Sequence, residues 1–359
     1  MKYRHLELLG VKTISADQTE VIDIDLSDPV TQILIDIRCK HAQGQDVGGH
    51  PAEAVTNIEL VDGSEVLFGL TGLCAHALDI YDTGIHPRGG WQNYLATTYT
   101  DMILALNFGR FLYDPLLALD PSKFRNLQLK ITHDVSAGGM GPTENQMSVY
   151  AEVFDEKTIS PIGFLMSKEI KSWSGTAGAH EYTDLPVDFK YRKLLIQSLK
   201  RGSPPHWILG NAKLSEDQDK KIVFNDGFRA LIFSIARKNA FIRETWNAVG
   251  QTSGTNYLVA PTMETHGVAT GWSATLATKQ ADTYDGDGGR FVIICEGLGN
   301  IVFEVSGWAP HGVLCIPFGD QNDMEDWYDV SAIGSLKLDV TDGVTTTTQK
   351  IFIQQLRPY

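Results

Sequence analysis

Two distant stretches of this chain follow one plan, and that repeat limits the fold more than anything else in the sequence. LNFGRFLYDPLLALDPSKFRNLQLKITHD ends at Asp134, and IPFGDQNDMEDWYDVSAIGSLKLDVTD ends at Asp342. Phe108-Gly109 matches Phe318-Gly319, and Leu127, Leu129, Ile131 and Thr132 match Leu336, Leu338, Val340 and Thr341. Each copy runs on to one more strand-like segment, QMSVYAEVF in the first and QKIFIQQL in the second. The shared physical content is a tight glycine turn, an excursion with an aromatic–Asp pair, and a strand with one buried face. Its recurrence at the ends of two comparable lengths predicts duplicated domains. Weaker echoes pair IDIDLSDPVTQILIDIR with LPVDFKYRKLLIQSLKR, and LVDGSEVLF with VFNDGFRALIF, which sets Asp62-Gly63 opposite Asp226-Gly227. The expected organisation is a first domain over 1–168, a polar linker over 169–183, and a second domain over 184–359. Within the second domain, 247–289 is rich in Gly, Thr and Ala without periodicity and reads as long surface loops.

Both halves are dominated by alternation. In EVIDIDL (20–26), Val21, Asp23 and Asp25 share one face while Ile22, Ile24 and Leu26 share the other. That period of two marks a half-buried strand. TQILIDIR (31–38), TNIELV (56–61), SEVLFG (64–69), MSVYAEVF (147–154), KLLIQSLK (193–200), FRALIFSIAR (228–237), RFVIICEG (290–297) and NIVFEVSG (300–307) read the same way, separated by Asp-Gly, Gly-Asn and Pro turn formers. Helical spacing is confined to two places. Leu73, Ala77, Leu78 and Tyr81 share one side, with Thr71 placed to cap. YDPLLALDPSKF (113–124) reads as a short helix with Asp114 as cap and Pro115 in its first turn. Many short strands with few helices argue for sandwiches over βαβ units.

The chain has 359 residues, 43% of them apolar and 21% charged, enough for a large core and too few charges for disorder. Its net charge of −14 gives it no general reason to coat nucleic acid or an anionic membrane. Basic residues gather only at Lys190, Arg192, Lys193, Lys200 and Arg201, which read as a solvated strand face. The opening MKYRHLELLG has no continuous apolar stretch and does not read as a signal peptide. Cys39, Cys74, Cys295 and Cys315 form no CxxC pair and read as scattered thiols.

No phosphate loop, dinucleotide fingerprint, HExxH or GxSxG motif is present, and the glycine-rich SAGGMG (136–141) and GGRF (288–291) read as turns. His41, His50, His76, His86, His133, His206, His266 and His311 show none of the short paired spacings that take two metal ligands from one element, so no metal and no cofactor is expected. Asp285 and Asp287 in DTYDGDGG are a weak calcium candidate, because oxygen ligands at alternating positions suit that ion. Trp91, Trp207 and Trp272 lie in loop-like contexts and are the candidate interface aromatics.

The order of strand pair, Asp-Gly turn, helix, LNFG strand, YDPLLALDPSKF and NLQLKITHD resembles the first half of the double jelly-roll major capsid proteins of tailless icosahedral bacterial, or archaeal, viruses. The resemblance is clearest over 20–155 and runs on through 184–359. It rests on Asp62, Gly63, Asn107, Phe108, Gly109, Leu127, Leu129 and Ile131, then on Asp226, Gly227, Phe318, Gly319, Leu336, Leu338 and Val340. It implies an all-β fold of two tandem eight-stranded antiparallel jelly rolls with short inserted helices and long loops. It further implies a non-enzymatic structural protein of the virion, assembled in the host cytoplasm. Homotrimers would form pseudo-hexagonal capsomers of an icosahedral shell, contacting neighbouring capsomers, minor capsid or vertex proteins and an internal viral membrane, with no sequence-specific nucleic acid. Loops 40–55, 82–100 and 247–289 would then be outer towers or contacts between capsomers. The residues also allow a rival reading, a carbohydrate-active enzyme or glycan-binding protein that uses acidic side chains and tryptophans on paired sandwiches.

Overall fold

The computed structural model describes residues 2–40, 49–86, 91–94, 99–137, 144–236, 238, 241–250, 255–259, 262, 264–269, 280–282, 291–295 and 299–359. The first unit runs through β1 (Tyr3–Ile14), β2 (Gln18–Asp23), β3 (Val30–Lys40), β4 (Val55–Asp62), β5 (Glu65–Leu70), helix α1 (Gly72–Thr83), β6 (Trp91–Tyr94), β7 (Tyr99–Asn107), β8 (Leu127–His133) and β9 (Asn145–Phe154). The second unit begins with β10 (Gly163–Ser174), β11 (His180–Leu185), β12 (Tyr191–Ser198), helix α2 (Pro205–Ile208), β13 (Leu209–Glu216), β14 (Lys221–Gly227) and helix α3 (Phe228–Ala236). An inserted group follows, comprising β15 (Ile242–Gly250), β16 (Thr255–Val259), β17 (Glu264–Ala269), β18 (Gln280–Asp282), β19 (Phe291–Cys295) and β20 (Gly299–Trp308). The unit closes with β21 (Val313–Pro317), β22 (Leu336–Asp342) and β23 (Thr348–Pro358).

The two units have the same strand order. In the first, the sheets are β1-β9-β3-β7 and β2-β8-β4-β5; in the second, β10-β23-β12-β21 and β11-β22-β13-β14. Each is therefore a two-sheet sandwich of eight antiparallel strands, a jelly roll. A short parallel pairing of β5 with β10, Ser167 opposite Phe68 and Lys168 opposite Gly69, fuses one sheet of each unit into a continuous eight-stranded sheet and removes two exposed edges.

The repeated segment makes equivalent strands. In β8, Leu127, Leu129, Ile131 and His133 are buried in alternation, and in β22 Leu336, Leu338, Val340 and Asp342 are. At the start of β3, Val30 exchanges two backbone hydrogen bonds with Leu119; at the start of β12, Tyr191 does the same with Tyr328.

Strand β12 is buried at every residue. Leu194 and Ile196, with Leu314, Ile316, Ile351 and Ile353, pack into the second unit's own core. Leu195, Val313, Cys315 and Phe352 point the other way, into the core of the first unit. A sheet covered on both faces has no solvent side, so KLLIQSLK is not the half-buried strand expected from the sequence but is buried throughout β12. Helix α1 belongs to that covering layer. Thr71 caps it, Oγ1 accepting the Cys74 N–H, and Gly84 ends it in the left-handed conformation at φ 69°.

Four local expectations are corrected. Residues 113–124 form no α-helix: Asp114 is held by Arg110, and Leu117 and Leu119 make β-bridges before one turn of 3-10 helix at Pro121–Lys123. Of FRALIFSIAR, Phe228–Ala236 form helix α3 and not a strand, because the apolar residues also fit a helical face and Phe228 is anchored in the core. The expected linker 169–183 is occupied by the second half of β10 and the first half of β11, around a turn at Gly178. The expected loop insertion 247–289 contains strand wherever it is described except at Thr262; the sheets there are β17-β20-β15-β6 and β16-β19-β18.

Candidate functional site

The fold signatures are structural turns. Gly63 (φ 61°) closes the β4–β5 hairpin, and Asp62 Oδ1 accepts the backbone N–H groups of Arg125 (3.1 Å) and Asn126 (2.7 Å), which lead into β8. Asp226 and Gly227 do not repeat this arrangement: they are exposed at the end of β14, where the chain enters α3. The repeat is at Asp217, in the β13–β14 turn, whose Oδ1 accepts the N–H groups of Gly334 (2.9 Å) and Ser335 (3.0 Å), which lead into β22. Phe108 is buried and Phe318 partly buried, each at the end of an equivalent strand. After Gly109, Arg110 donates its N–H to Asp114 Oδ2 (3.2 Å); after Gly319, Asp320 donates to Asp326 Oδ2 (2.6 Å).

Of the interface aromatics, Trp207 sits on α2 and is 50% exposed. Trp91 begins β6, paired in parallel with β15; its side chain lies outside the described residues, as do Trp272, Asp285 and Asp287. Among the described residues no helix is long and apolar enough to cross a membrane.

The polar chemistry converges instead where α1 meets the second unit. Asp82, in the last turn of α1, has a side chain only 3% exposed, which bonds Arg192 Nη1 (2.6 Å), Lys193 Nζ and Gln354 Nε2 (2.9 Å to the other oxygen). Burial raises its pKa, but Lys193 and Arg192 outweigh burial and hold the carboxyl below its usual range. Arg192 also bonds the Gln321 carbonyl (3.2 Å) and stacks over Trp327, 5.7 Å from the ring centroid. One turn back, Asp79 is buried with Asn107 Nδ2 at 2.8 Å. Burial dominates there and raises the carboxyl to about 7.

One turn further back lies a group of buried imidazoles. His50 caps the 3-10 turn Pro51–Ala54, His76 is on α1, and His311 precedes β21; their exposures are 1%, 0% and 2%. One nitrogen from each ring lies within 4.8 Å of the others. His76 Nδ1 is 2.8 Å from His311 Nε2, while His76 Nε2 has no hydrogen-bond partner among the described residues. His50 Nδ1 accepts the Ala52 N–H (3.2 Å), and its Nε2 faces Thr262 Oγ1 (3.0 Å). Thr262 Oγ1 donates to Glu244 Oε1 (2.9 Å) and is 3.2 Å from His86 Nε2. Burial, with the neighbouring imidazoles, lowers His50 and His76 well below the usual histidine range; burial and Arg201 lower His311 to about 3. At neutral pH these rings are uncharged.

Sequence spacing shows none of this, because the three histidines come from elements far apart in the chain. Part of the 40–55 segment, expected to form outer towers or contacts between capsomers, is interior: His50, Pro51, Ala52 and Ala54 are buried against α1. The signal available was Pro51 after a capping residue with Glu53 three positions on, a capping box that marks an ordered turn.

No protein-family model matches the chain, and no curated protein matches it. Solved structures do match in fold. The STIV MCP, from Sulfolobus turreted icosahedral virus, is 11% identical with a TM-score of 0.62, over 100% of this chain and 98% of that one. The PBCV-1 virus capsid is 12% identical with a TM-score of 0.59, over 99% of this chain and 93% of that one. The major capsid protein P2 of bacteriophage PM2 is 9% identical with a TM-score of 0.56, over 99% of this chain and 98% of that one. At such identities the likeness establishes a shared double jelly-roll architecture along the whole chain.

Proposed function

We propose that this protein is a structural major capsid protein, located in the virion shell and acting without catalysis, and that three copies form a pseudo-hexagonal capsomer. The observation that carries the reading is the duplication: two jelly rolls of identical strand order are fused side by side in one chain. Three such chains around a threefold axis present six similar units, so a closed ring of near-sixfold outline follows from a C3 interface. The solved structures of similar fold are capsid proteins, which supports the same role and does not favour the glycan-directed alternative. On this reading the second structural unit starts at β10, and neighbouring capsomers and vertex proteins are its partners.

Light scattering behind a sizing column tests the capsomer. A stable species near three times the 39.6 kDa chain is the expected result. A monomer at micromolar concentration overturns the preformed trimer, and failure to form particles on concentration, judged by electron microscopy, overturns the shell role.

A further inference from the structure

We propose that His50, His76 and His311 form a binding site for a divalent transition-metal ion of the zinc class, which pins α1 of the first jelly roll to the second. The site is independent of capsid assembly, since every group in it comes from one chain.

The geometry fits such an ion. Zinc bonds imidazole nitrogen at about 2.0–2.1 Å with tetrahedral angles, which places ligating ring centroids roughly 5.2 Å apart. The centroids here are separated by 4.5 Å (His50–His311), 5.0 Å (His76–His311) and 5.6 Å (His50–His76). An ion between His76 Nδ1 and His311 Nε2 replaces the proton those atoms share at 2.8 Å, with a small opening of the pair. All-nitrogen donation suits zinc and its transition-metal neighbours; calcium and magnesium require oxygen.

The surroundings are those of a ligand site rather than of ordinary packed histidines. A buried ring nitrogen without a partner costs roughly 1–3 kcal/mol, and His76 Nε2 is such an atom among the described residues, on the ring edge opposite the nitrogen that meets His311. His311 is held in the left-handed region at φ 53°, between Ala309 at 51° and Gly312 at 66°, a strained approach that carries its ring inward. Metal-bound histidines commonly donate their second N–H to a carboxylate or its relay. His50 Nε2 meets Thr262 Oγ1, which in turn donates to buried Glu244, so His50 turns Nδ1 to the ion in exchange for its long Ala52 contact. Glu244 supplies negative charge nearby, and Arg201, which adds positive potential, is paired with Glu53.

The test uses the full chain, stripped with chelator and then equilibrated with cobalt(II) or zinc(II) chloride. One equivalent of metal per chain after desalting is expected, and cobalt should give the intense visible absorption of a tetrahedral nitrogen site. His76→Gln and His311→Gln should each weaken binding by more than the roughly 10–100-fold typical of outer-shell partners. Replacing exposed His180 by Ala should leave it unchanged. Absence of stoichiometric binding by the native chain overturns the proposal without reference to any variant. So does one-equivalent binding that survives replacement of both His76 and His311.

Discussion

Asp62 and Asp217 perform the same task in the two jelly rolls. Each sits in the hairpin turn between equivalent strands, and one carboxylate oxygen of each accepts two consecutive backbone N–H groups from the segment entering the partner strand. Hydrogen bonds to a charged acceptor contribute about 1.5–3 kcal/mol, less where the group is partly solvated. Asp62→Ala and Asp217→Ala are each expected to destabilise the chain by roughly 1–2 kcal/mol, read as a shift in the urea midpoint. Asp226→Ala, at an exposed position with no such bonds, should stay within about 0.5 kcal/mol of the native chain. Equal effects of Asp217→Ala and Asp226→Ala would contradict the assignment.

That pair also shows where the sequence could be read and where it misled. The repeat from Phe108 to Ile131 and from Phe318 to Val340 was visible because each strand has one buried face, and a period of two survives divergence. The offset that carries β8 onto β22 also carries Leu119 onto Tyr328, Asp120 onto Asp329 and Ser122 onto Ser331, with both aspartates bonding the N–H two residues on. The Asp226-Gly227 match failed because a hairpin turn can be closed without an Asp-Gly pair. Asp217, Gln218 and Asp219 take positive φ in its place, at 47°, 60° and 67°. The histidine group was invisible for a different reason: its members share no element, and only tertiary packing of α1 against β12 and β21 brings them together.

Asp82 should be the most sensitive single charge at that seam. Its carboxylate is buried between Arg192, Lys193 and Gln354, so Asp82→Ala leaves two buried cations without their counter-charge. Breaking a buried ion pair by removing one partner costs about 3–5 kcal/mol. Lys193→Met should cost less, because Arg192 still neutralises Asp82 and the methionine fills the same space. Thermal melting of the two variants in parallel checks the order. A smaller loss for Asp82→Ala than for Lys193→Met would refute it.

Asp79 predicts an unusual pH dependence. Its folded-state pKa is raised to about 7 by burial, against 3.8 for an unperturbed aspartate. The folded chain therefore holds a proton that the unfolded chain has released between those values. The contribution of this group to stability is fully present below about pH 3.8, declines as pH rises, and is lost above about pH 7. Asp79→Asn keeps a polar partner for Asn107 and cannot ionise. It should gain on the native chain as pH rises from 4 to 8, by up to about 4 kcal/mol. Denaturant midpoints at pH 4, 6 and 8 give the difference directly, and a constant difference across that range would remove Asp79 as its source.

Gly319 separates backbone conformation from steric space. It adopts φ 65°, and a Cβ there would lie 2.1 Å from the Asp326 carbonyl oxygen; Gly178 adopts φ 72° with nothing within 4 Å of the same position. A left-handed conformation costs an L-residue roughly 1–2 kcal/mol. Gly178→Ala should lose about that much and no more. Gly319→Ala carries the same conformational cost and must in addition push back backbone that Asp326 fixes by accepting the Asp320 N–H. Its expected loss is therefore about 3 kcal/mol or more, since overpacking adds roughly 1–3 kcal/mol. Because Phe318 beside it stacks on Tyr328 at 4.9 Å, the displacement should also reach the start of β12 through the Tyr191–Tyr328 bridge. Hydrogen exchange at Tyr191 and Tyr328 is the measurement: faster exchange in Gly319→Ala and native rates in Gly178→Ala are expected, and equal protection in both would place the strain elsewhere.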